Sequence, residues 1–283
     1  MELKVTTYEV TDDGVAVVTL ARPDRGNSWT HRMHDEYRWL MAEAEADAAV
    51  RVIVVTGEGR QFCVGADFQA LEQAASGPKG PGEADEPRQP GYGLRDDFDH
   101  DLVWHWGLRK PVIAAINGAC AGIALALASF CDLRFAAEGA KLTAATTRLG
   151  LPAEYGLDWI LPRLVGLTHA SDILLTGRIF ESDEARQMGF LNGVFPRDGF
   201  MDAVMERARA LATGSAPEAM LAVKRQMFDA LLGFHVGESI DRSKALIAEL
   251  ATRPDFIEGV KAVREKRQPA FAPLKSETPE PSL

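Results

Sequence analysis

Near the amino terminus, apolar and polar residues first alternate and then change to a helical spacing. Residues 5–10 and 15–20 each read as a strand, and the Asp12-Asp13-Gly14 turn between them predicts a hairpin. Residues 50–56 form a short apolar, β-branched run, which is typical of a buried strand. Between them, the spacing of five apolar residues predicts one face of a helix: Met33, Tyr37, Leu40, Met41 and Ala44.

Two later segments share one design, in which a buried strand runs into a glycine turn. Residues 51–67 read as a strand, a turn, and a loop that ends in Gly65-Ala66-Asp67. Residues 111–134 read as a strand, an Asn117-Gly118 turn, Gly122 and an apolar helix. Two turns of this kind can each aim a backbone N–H at one point. Such a pair of donors stabilises the oxyanion of an enolate or a thioester.

The remainder of the chain becomes increasingly helical. The predicted elements are a loop over 76–95, a helix over 97–108, a strand over 131–135, a break at Leu161-Pro162, and helices from Ser215, over 239–251 and over 254–266. Strand–helix units followed by helices alone indicate an α/β core with a helical carboxy-terminal part.

Length, composition and charge favour one large domain and argue against several functional classes. A chain of 283 residues with 46% hydrophobic content suits one large domain. The net charge of -10 argues against a general nucleic-acid binder, which needs a basic surface. Cys63, Cys120 and Cys131 lie in apolar runs without CxxC spacing, so we expect reduced core thiols. The histidines show no metal-ligand spacing, so we predict no metal site.

The amino-terminal residues 1–10 lack the continuous apolar region of a signal peptide. No apolar run approaches the roughly 18 residues that a membrane-spanning helix needs. We therefore expect a cytoplasmic protein that is not embedded in a membrane.

Several short motifs, taken in their order and spacing, carry a family resemblance. They are RPDRGNS (22–28), GRQFCVGAD (59–67), KPVIAAINGACAG (110–122), CDLRFAAEGAKL (131–142), Gly150-Leu151 and LPRLVG (161–166). Over residues 5–270 the chain resembles the crotonase superfamily, also called the enoyl-CoA hydratase/isomerase family. The resemblance implies an α/β fold: a ββα-spiral catalytic core over residues 1–200 and a helical region over 201–283 that builds a trimer or a dimer of trimers.

The resemblance also implies where the chemistry lies. The oxyanion hole would consist of the backbone N–H groups of Ala66 and Ile123. The two catalytic glutamates of the prototype hydratase fall on Ala126 and Thr146, and neither side chain moves a proton at neutral pH. The sequence therefore argues against hydration by the prototype mechanism.

Glu154, eight residues beyond Thr146, is the candidate acid/base. Other branches of the superfamily place a catalytic aspartate around this position. Apolar neighbours would partly desolvate the Glu154 carboxylate and raise its pKa toward the working pH. Asp158 is a weaker alternative with an expected surface or capping role. Tyr155 and Trp159 are expected to pack in the acyl pocket or the core.

The implied substrate is an acyl-CoA, so coenzyme A enters as part of the substrate and no tightly bound cofactor is expected. The resemblance places Arg22, Arg25 and Asn27 at the coenzyme A edge, and Ala66, Asp67, Phe68 and Gly122 along the path of the ligand. A basic cluster contacts phosphates or forms a solvated helix face: Lys261, Arg264, Lys266 and Arg267.

We thus expect an enoyl-CoA hydratase/isomerase-type lyase or isomerase. Isomerisation is favoured, because one base can remove a proton and return it. Two alternatives stay open. One is a hydrolytic or carbon–carbon cleaving crotonase that uses His34 with Glu154. The other is a non-catalytic family member, since Ala126 and Thr146 lack carboxylates.

Overall fold

The computed structural model describes residues 1–67, 94–149, 151–233, 249 and 253–273. The predicted loop over 76–95 and the predicted helix over 239–251 lie almost entirely outside these ranges. The described residues confirm the α/β class, with strands and helices alternating before the carboxy-terminal helices.

A six-stranded sheet, in the order β1-β2-β3-β4-β6-β9, forms the centre of the molecule. The predicted hairpin is present, since β1 pairs antiparallel with β2. The pairs from β2 to β9 are parallel. The strands are β1 Thr6–Val10, β2 Val15–Leu20, β3 Val52–Gly57, β4 Val112–Ile116, β6 Leu133–Ala137 and β9 Gly193–Phe195. Every residue of β3 and β4 is buried, which explains their unbroken apolar sequence.

A second, smaller sheet has the order β5-β7-β8. It consists of β5 Cys120–Ala121, β7 Lys141–Thr143 and β8 Phe180–Glu181. Strand β5 directly precedes Gly122, and the Gly122 N–H donates to the carbonyl of Thr143 at the end of β7 (3.0 Å). This sheet therefore fixes the start of the helix that follows Gly122.

The described helices are α1 His31–Ala46, α2 Ile123–Phe130, α3 Leu157–Thr176, α4 Ser182–Gln187, α5 Phe200–Gly214, α6 Pro217–Gly233 and α7 Pro254–Glu265. The predicted helical stripe of α1 is confirmed, since its five apolar residues are all buried. The Thr30 hydroxyl caps α1 by accepting from the Met33 N–H (3.1 Å).

Helices cover both faces of the large sheet. Alternate residues along β3 and β4 point to opposite faces. One set packs with α1, α2 and α3 in the main core. The other set, including Val54 and Ile113, packs against the buried face of α5. The expected boundary between residues 200 and 201 lies at the start of α5, which packs on the sheet.

Two local expectations were wrong. The predicted helix over 97–108 is a pair of short 3-10 helices, Asp96–Phe98 and Val103–Gly107, because Leu102 adopts a left-handed conformation (φ 64) between them. The predicted break at Pro162 lies four residues later, because Pro162 sits inside α3 and Gly166 (φ 77, ψ 157) interrupts it. Glycine adopts this non-helical conformation without steric cost.

Buried cations join α6 to the segment that precedes β4. Lys224 donates to the Asp132 carboxylate (2.8 Å) and to the His105 carbonyl (3.0 Å). Arg225 donates to the carbonyls of Trp106 and Gly107. Because buried carbonyls need partners, these contacts hold the 3-10 helix Val103–Gly107 in place.

Glu36 joins α1 to the start of β1. Its fully buried carboxylate accepts from the Thr6 hydroxyl (2.7 Å), the Val5 N–H (3.0 Å) and the Lys4 N–H (2.9 Å). Burial alone would raise its pKa. Hydrogen bonds from Arg32, Thr6 and the two amides outweigh burial and lower the pKa of Glu36 to about 2.

We expect Glu36→Gln to lower the free energy of unfolding at pH 7 by about 2–3 kcal/mol, because it weakens hydrogen bonds to a charged group. The Glu36 carboxylate stabilises the fold above its unfolded pKa, and this contribution declines as the pH falls toward about 2. Urea unfolding between pH 7 and pH 3.5 should therefore show the difference from wild type shrinking with acid. Glu43→Gln, on the exposed side of α1, is the control. A constant difference across this range would contradict the assignment.

Candidate active site

The two strand-to-turn segments lie side by side. Cys63 and Cys120 form a parallel bridge, in which the Cys63 N–H donates to the Ala119 carbonyl and the Ala121 N–H to the Cys63 carbonyl (both 3.0 Å). Asn117 adds a side-chain connection, since its amide donates to the Gly57 carbonyl (2.8 Å). These bonds fix the position of one turn relative to the other.

The two glycine turns contact each other at the ends of these segments. Gly65 has φ +102 and Gly122 has φ +54, a region that favours glycine. A Cβ at Gly65 would lie 3.2 Å from the Ala121 carbonyl oxygen. A Cβ at Gly122 would lie 3.9 Å from the Gly65 Cα. Gly65 therefore combines a positive φ with a close approach of backbone, whereas Gly122 combines a positive φ with ordinary van der Waals contact.

Ala66 and Ile123 follow these glycines. Trp29 pairs with Ala66 through its N–H to the Gly65 carbonyl (2.7 Å) and through its carbonyl to the Asp67 N–H (3.0 Å). In a parallel bridge this pattern turns the N–H of Ala66 away from Trp29. Ile123 is the first residue of α2, where an N–H lacks a helical acceptor.

No residue that the structure describes accepts a hydrogen bond from the N–H of Ala66 or of Ile123. Ala66 is also exposed. The positive end of the α2 dipole adds to the potential at Ile123. The two turns in contact thus each carry an N–H without an acceptor among the described residues.

Glu154 lies in the loop before α3. It is half-buried, and burial raises its pKa. Its carbonyl accepts from the Leu157 N–H (3.0 Å), which closes the turn into α3. The same turn approaches α2, since a Cβ at Gly156 would lie 3.3 Å from the Phe130 ring. The Glu154 loop therefore packs against the helix whose first N–H belongs to Ile123.

A series of contacts leads from Trp29 toward Glu154. The Trp29 and His34 rings pack edge to face, with centroids 6.2 Å apart. His34 Nε2 lies 4.0 Å from the Asp101 carboxylate. Burial raises the pKa of Tyr155, and the charges of Glu154 and Asp101 raise it further. His34, Asp101 and the Glu154 loop are therefore electrostatic neighbours.

The positions of the prototype glutamates hold no acid. Ala126 is fully buried in α2. Thr146 is also buried, three residues beyond the Thr143 carbonyl that binds the Gly122 N–H. The Thr146 hydroxyl has no hydrogen-bond partner among the residues that the structure describes. Glu154 is half-buried and burial raises its pKa, whereas Asp158 is exposed in the first turn of α3.

The residues expected at the coenzyme A edge divide into two groups. Arg25 is exposed in the 3-10 helix Pro23–Arg25. Asn27 is fully buried, and its side chain donates to the carbonyls of Glu58 (3.0 Å) and Gln61 (2.7 Å). The Asn27 side chain thus braces the loop from inside, which differs from the expected contact with coenzyme A.

Asp67 is mostly buried and accepts hydrogen bonds from Arg22 and Ser28. Phe68, predicted along the ligand path, lies outside the described residues. In the basic cluster, Arg267 forms ion pairs with Glu258 (2.6 Å) and Glu265 (2.7 Å). The remaining three cations of the cluster are exposed: Lys261, Arg264 and Lys266.

Other sequence expectations concern the core. Cys63, Cys120 and Cys131 are buried and free, and burial raises the pKa of each thiol, to about 12 for Cys63 and Cys131. Trp159 stacks under Arg163, whose guanidinium lies 3.8 Å from the ring centroid. In the described part of the chain, no cluster of His, Cys, Asp and Glu has a metal-binding arrangement.

The sequence reasoning did not single out Ser28, Trp29 or Asp101. Ser28 ends the RPDRGNS motif and Trp29 follows it directly, so their position was the available signal. Asp101 stands among several acids between residues 96 and 101, where nothing in the sequence distinguishes it.

None of the helices in the described ranges has the length and apolar character to cross a bilayer.

The contact between the turns is testable at Gly65. We expect Gly65→Ala to lower the free energy of unfolding by about 1–3 kcal/mol, because it combines backbone strain with a close carbonyl. Gly199→Ala is the matched control, since Gly199 also has a positive φ (+77) but no atom within 4 Å of the added Cβ. Urea unfolding should show the larger loss at Gly65. Equal losses would contradict the close approach.

Comparison with known proteins gives a consistent result. A family model described as enoyl-CoA hydratase/isomerase matches residues 10–273. A probable enoyl-CoA hydratase of Rhodobacter capsulatus is 34% identical, over 96% of this chain and 99% of that protein. A 1,2-epoxyphenylacetyl-CoA isomerase of Escherichia coli is 32% identical, over 92% of this chain and 95% of that protein.

Solved structures agree with the sequence comparison. A probable enoyl-CoA hydratase/isomerase from Mycobacterium abscessus superposes with a TM-score of 0.83 at 33% identity, covering 95% of this chain and 99% of that one. A putative enoyl-CoA hydratase from Streptomyces coelicolor gives a TM-score of 0.82 at 32% identity, with 95% and 94% covered. Together with the glycine turns, these matches show that the chain belongs to the enoyl-CoA hydratase/isomerase family of the crotonase superfamily.

Proposed function

We propose that this protein is an acyl-CoA isomerase, in which the N–H groups of Ala66 and Ile123 bind the thioester oxygen and Glu154 moves the proton. The observation that carries this proposal is the contact between the Gly65 and Gly122 turns, each followed by an N–H without an acceptor in the described ranges. Coenzyme A is part of the substrate, and no tightly bound cofactor is required.

Removing a proton beside a thioester places negative charge on the carbon and on the thioester oxygen. Donors that face the oxygen stabilise this enolate more than the uncharged substrate, which lowers the barrier. Each donor contributes about 2.7–4 kcal/mol in comparable sites. Burial raises the pKa of Glu154 toward neutral pH. A general base is most effective when its pKa lies near the pH at which the enzyme works.

Isomerisation is favoured over hydration by the number of carboxylates. Moving a double bond needs one base that removes a proton and returns it at another carbon. Adding water by the prototype mechanism uses two glutamates, and Ala126 and Thr146 stand at their positions. The E. coli relative is named an isomerase, whereas the R. capsulatus relative is named a probable hydratase.

A second candidate is a hydrolytic or carbon–carbon cleaving reaction, with His34 and Glu154 in the acid/base roles. The observation in its favour is the 4.0 Å separation between His34 Nε2 and the Asp101 carboxylate. This separation exceeds a hydrogen bond, but it keeps a carboxylate beside the His34 ring. The charges of both Glu154 and Asp101 raise the pKa of Tyr155, which supports a location of Glu154 near the His34 and Asp101 pair.

Replacing Glu154 tests the proposal. We expect Glu154→Gln to lower kcat for interconversion of 3-enoyl-CoA and 2-enoyl-CoA at least 100-fold, with little change in KM, because it removes a general base. In the wild type, kcat/KM should fall as the pH drops through the raised pKa of Glu154, since the protonated carboxyl accepts no proton. The variant should lack this inflection. Asp158→Asn, exposed in the next turn, is the control.

The same assay separates the alternatives. Unchanged turnover in Glu154→Gln would remove Glu154 from the mechanism. Cleavage of a diketone that is lost in His34→Gln, without binding of acetoacetyl-CoA by calorimetry, would favour the second candidate. Binding of acyl-CoA without turnover of any enoyl-CoA by the wild type would indicate a non-catalytic member of the family.

We also propose that the carboxy-terminal helices form the interface of a homotrimer, alone or paired into a hexamer. Apolar side chains of α6 and α7 are 38–63% exposed: Val223, Met227, Leu231, Phe256, Ile257 and Val260. Those of α6 are four residues apart and so share one face. An open apolar groove of about 450 Å³ separates the start of α6 from α7. Faces of this kind are typical of subunit interfaces.

We expect light scattering to give three or six copies for the wild type and a smaller assembly for the double variant Met227→Glu, Ile257→Glu, because charge opposes burial of this face. Val10→Glu, at an exposed apolar position on the edge strand β1, is the control and should leave the assembly unchanged. A monomeric wild type at micromolar concentration would contradict the proposal.

A further inference from the structure

We propose that Arg22, Ser28 and Asp67 form a clamp whose task is to hold the N–H of Ala66 in its catalytic direction. We call these three residues the Asp67 clamp. Their polar side-chain atoms bind one another, so we assign them a positioning role. This inference rests on the proposed function, since it concerns one of the two donors to the thioester oxygen.

One carboxylate oxygen is the centre of the clamp. Asp67 Oδ2 accepts hydrogen bonds from Nη1 of Arg22 (3.1 Å) and from the Ser28 hydroxyl (2.9 Å), and it forms an ion pair with Nη2 of Arg22 (3.1 Å). The same guanidinium donates to the Ser28 carbonyl (2.7 Å) and contacts the Ser28 hydroxyl (3.1 Å). The side chains of Arg22 and Asp67 are only 21% and 15% exposed. Water therefore screens this ion pair less than a surface pair.

The Asp67 clamp connects the segment at Ser28 to the segment at Asp67, which the backbone bridge between Trp29 and Ala66 also connects. Ser28 precedes Trp29, and Asp67 follows Ala66. Trp29 and Ala66 form the parallel bridge, with backbone bonds on both sides of Ala66. The side chains of Ser28 and Asp67 thus add a second connection directly beside the bridge.

Gly65 explains why a second connection matters. The turn needs glycine for its φ of +102, but glycine also leaves the Gly65–Ala66 peptide free to rotate in the absence of restraint. The N–H of Ala66 belongs to that peptide. An anchor on the following residue restricts the rotation without placing a side chain in the turn. Correct donor direction is a large part of oxyanion stabilisation.

The backbone of Arg22 is fixed by hydrogen bonds to Asn27. Its N–H donates to the Asn27 side chain (2.8 Å), and its carbonyl accepts from the Asn27 N–H (2.9 Å). Asn27 is fully buried and adopts a left-handed conformation (φ 56). The Asn27 amide also donates to Glu58 and Gln61 in the first turn segment. The loop over 22–28 therefore acts as a brace for the Ala66 turn.

The experiment measures the enolate of bound acetoacetyl-CoA, which reports on the oxyanion donors without turnover. Near-ultraviolet titration gives the apparent pKa of the bound ligand in the wild type, Asp67→Asn, Arg22→Gln, Ser28→Ala and the double variant Arg22→Gln, Asp67→Asn. Ser28→Thr keeps the hydroxyl and serves as the conservative rescue. Arg209→Gln, which breaks an exposed ion pair with Asp13, is the matched control. Glu154→Gln is included to separate proton transfer from oxyanion binding.

The clamp predicts that the wild type and Glu154→Gln lower the ligand pKa equally. We expect Asp67→Asn and Arg22→Gln to weaken enolate stabilisation and kcat about tenfold each, less than the 10²–10³-fold loss of a whole donor. KM should change about twofold or less. The double variant should resemble the singles, because the residues act as one unit. Ser28→Ala should show a smaller loss that Ser28→Thr restores.

Three results would overturn the clamp in different ways. If the wild type lowers the ligand pKa and the clamp variants lower it equally, the clamp is wrong and the proposed oxyanion hole stands. If the wild type itself does not lower the ligand pKa, the proposed function fails and the clamp fails with it. A loss shared by Ser28→Ala and Ser28→Thr, with lowered thermal stability, would indicate a structural role only.

Discussion

The parallel pairing of Cys63 with Cys120 is the interaction on which the rest of the site depends. It places the ends of two segments from neighbouring strands, β3 and β4, in contact. Without it, the Gly65 and Gly122 turns would be separate loops, and the proposed pair of N–H donors would not form. Both residues are small and fully buried, which lets the segments approach closely. The catalytic potential thus begins with backbone geometry rather than with a reactive side chain.

The periodic parts of the fold could be predicted from the sequence, because burial leaves a repeating pattern there. The hairpin, α1 and the strands β3 and β4 follow from it. The region over 97–108 has the apolar content of a helix, but the left-handed Leu102 divides it. Left-handed conformation at leucine has no sequence signal, since it is imposed by surrounding contacts.

For the site, the glycines and the half-buried Glu154 were predictable, because both have local causes. The Asp67 clamp was not, because its members lie 45 residues apart along the chain at Arg22 and Asp67. The contacts of the Asn27 side chain were not predictable for a related reason. Its polarity fits a ligand contact, whereas the structure uses that polarity to satisfy buried carbonyls.

An oxyanion site made of backbone N–H groups separates the binding of the thioester oxygen from the transfer of the proton. The donors at Ala66 and Ile123 belong to the main chain, so substitution at Ala126 or Thr146 leaves them in place. Proton transfer, in contrast, depends on a carboxylate side chain, and the one that we propose is Glu154, whose pKa is raised by burial. One scaffold can therefore retain its hold on a thioester oxygen while the position of its acid changes. For this reason, 34% identity to a probable hydratase identifies the family, whereas the reaction must be argued from Glu154 and its neighbours.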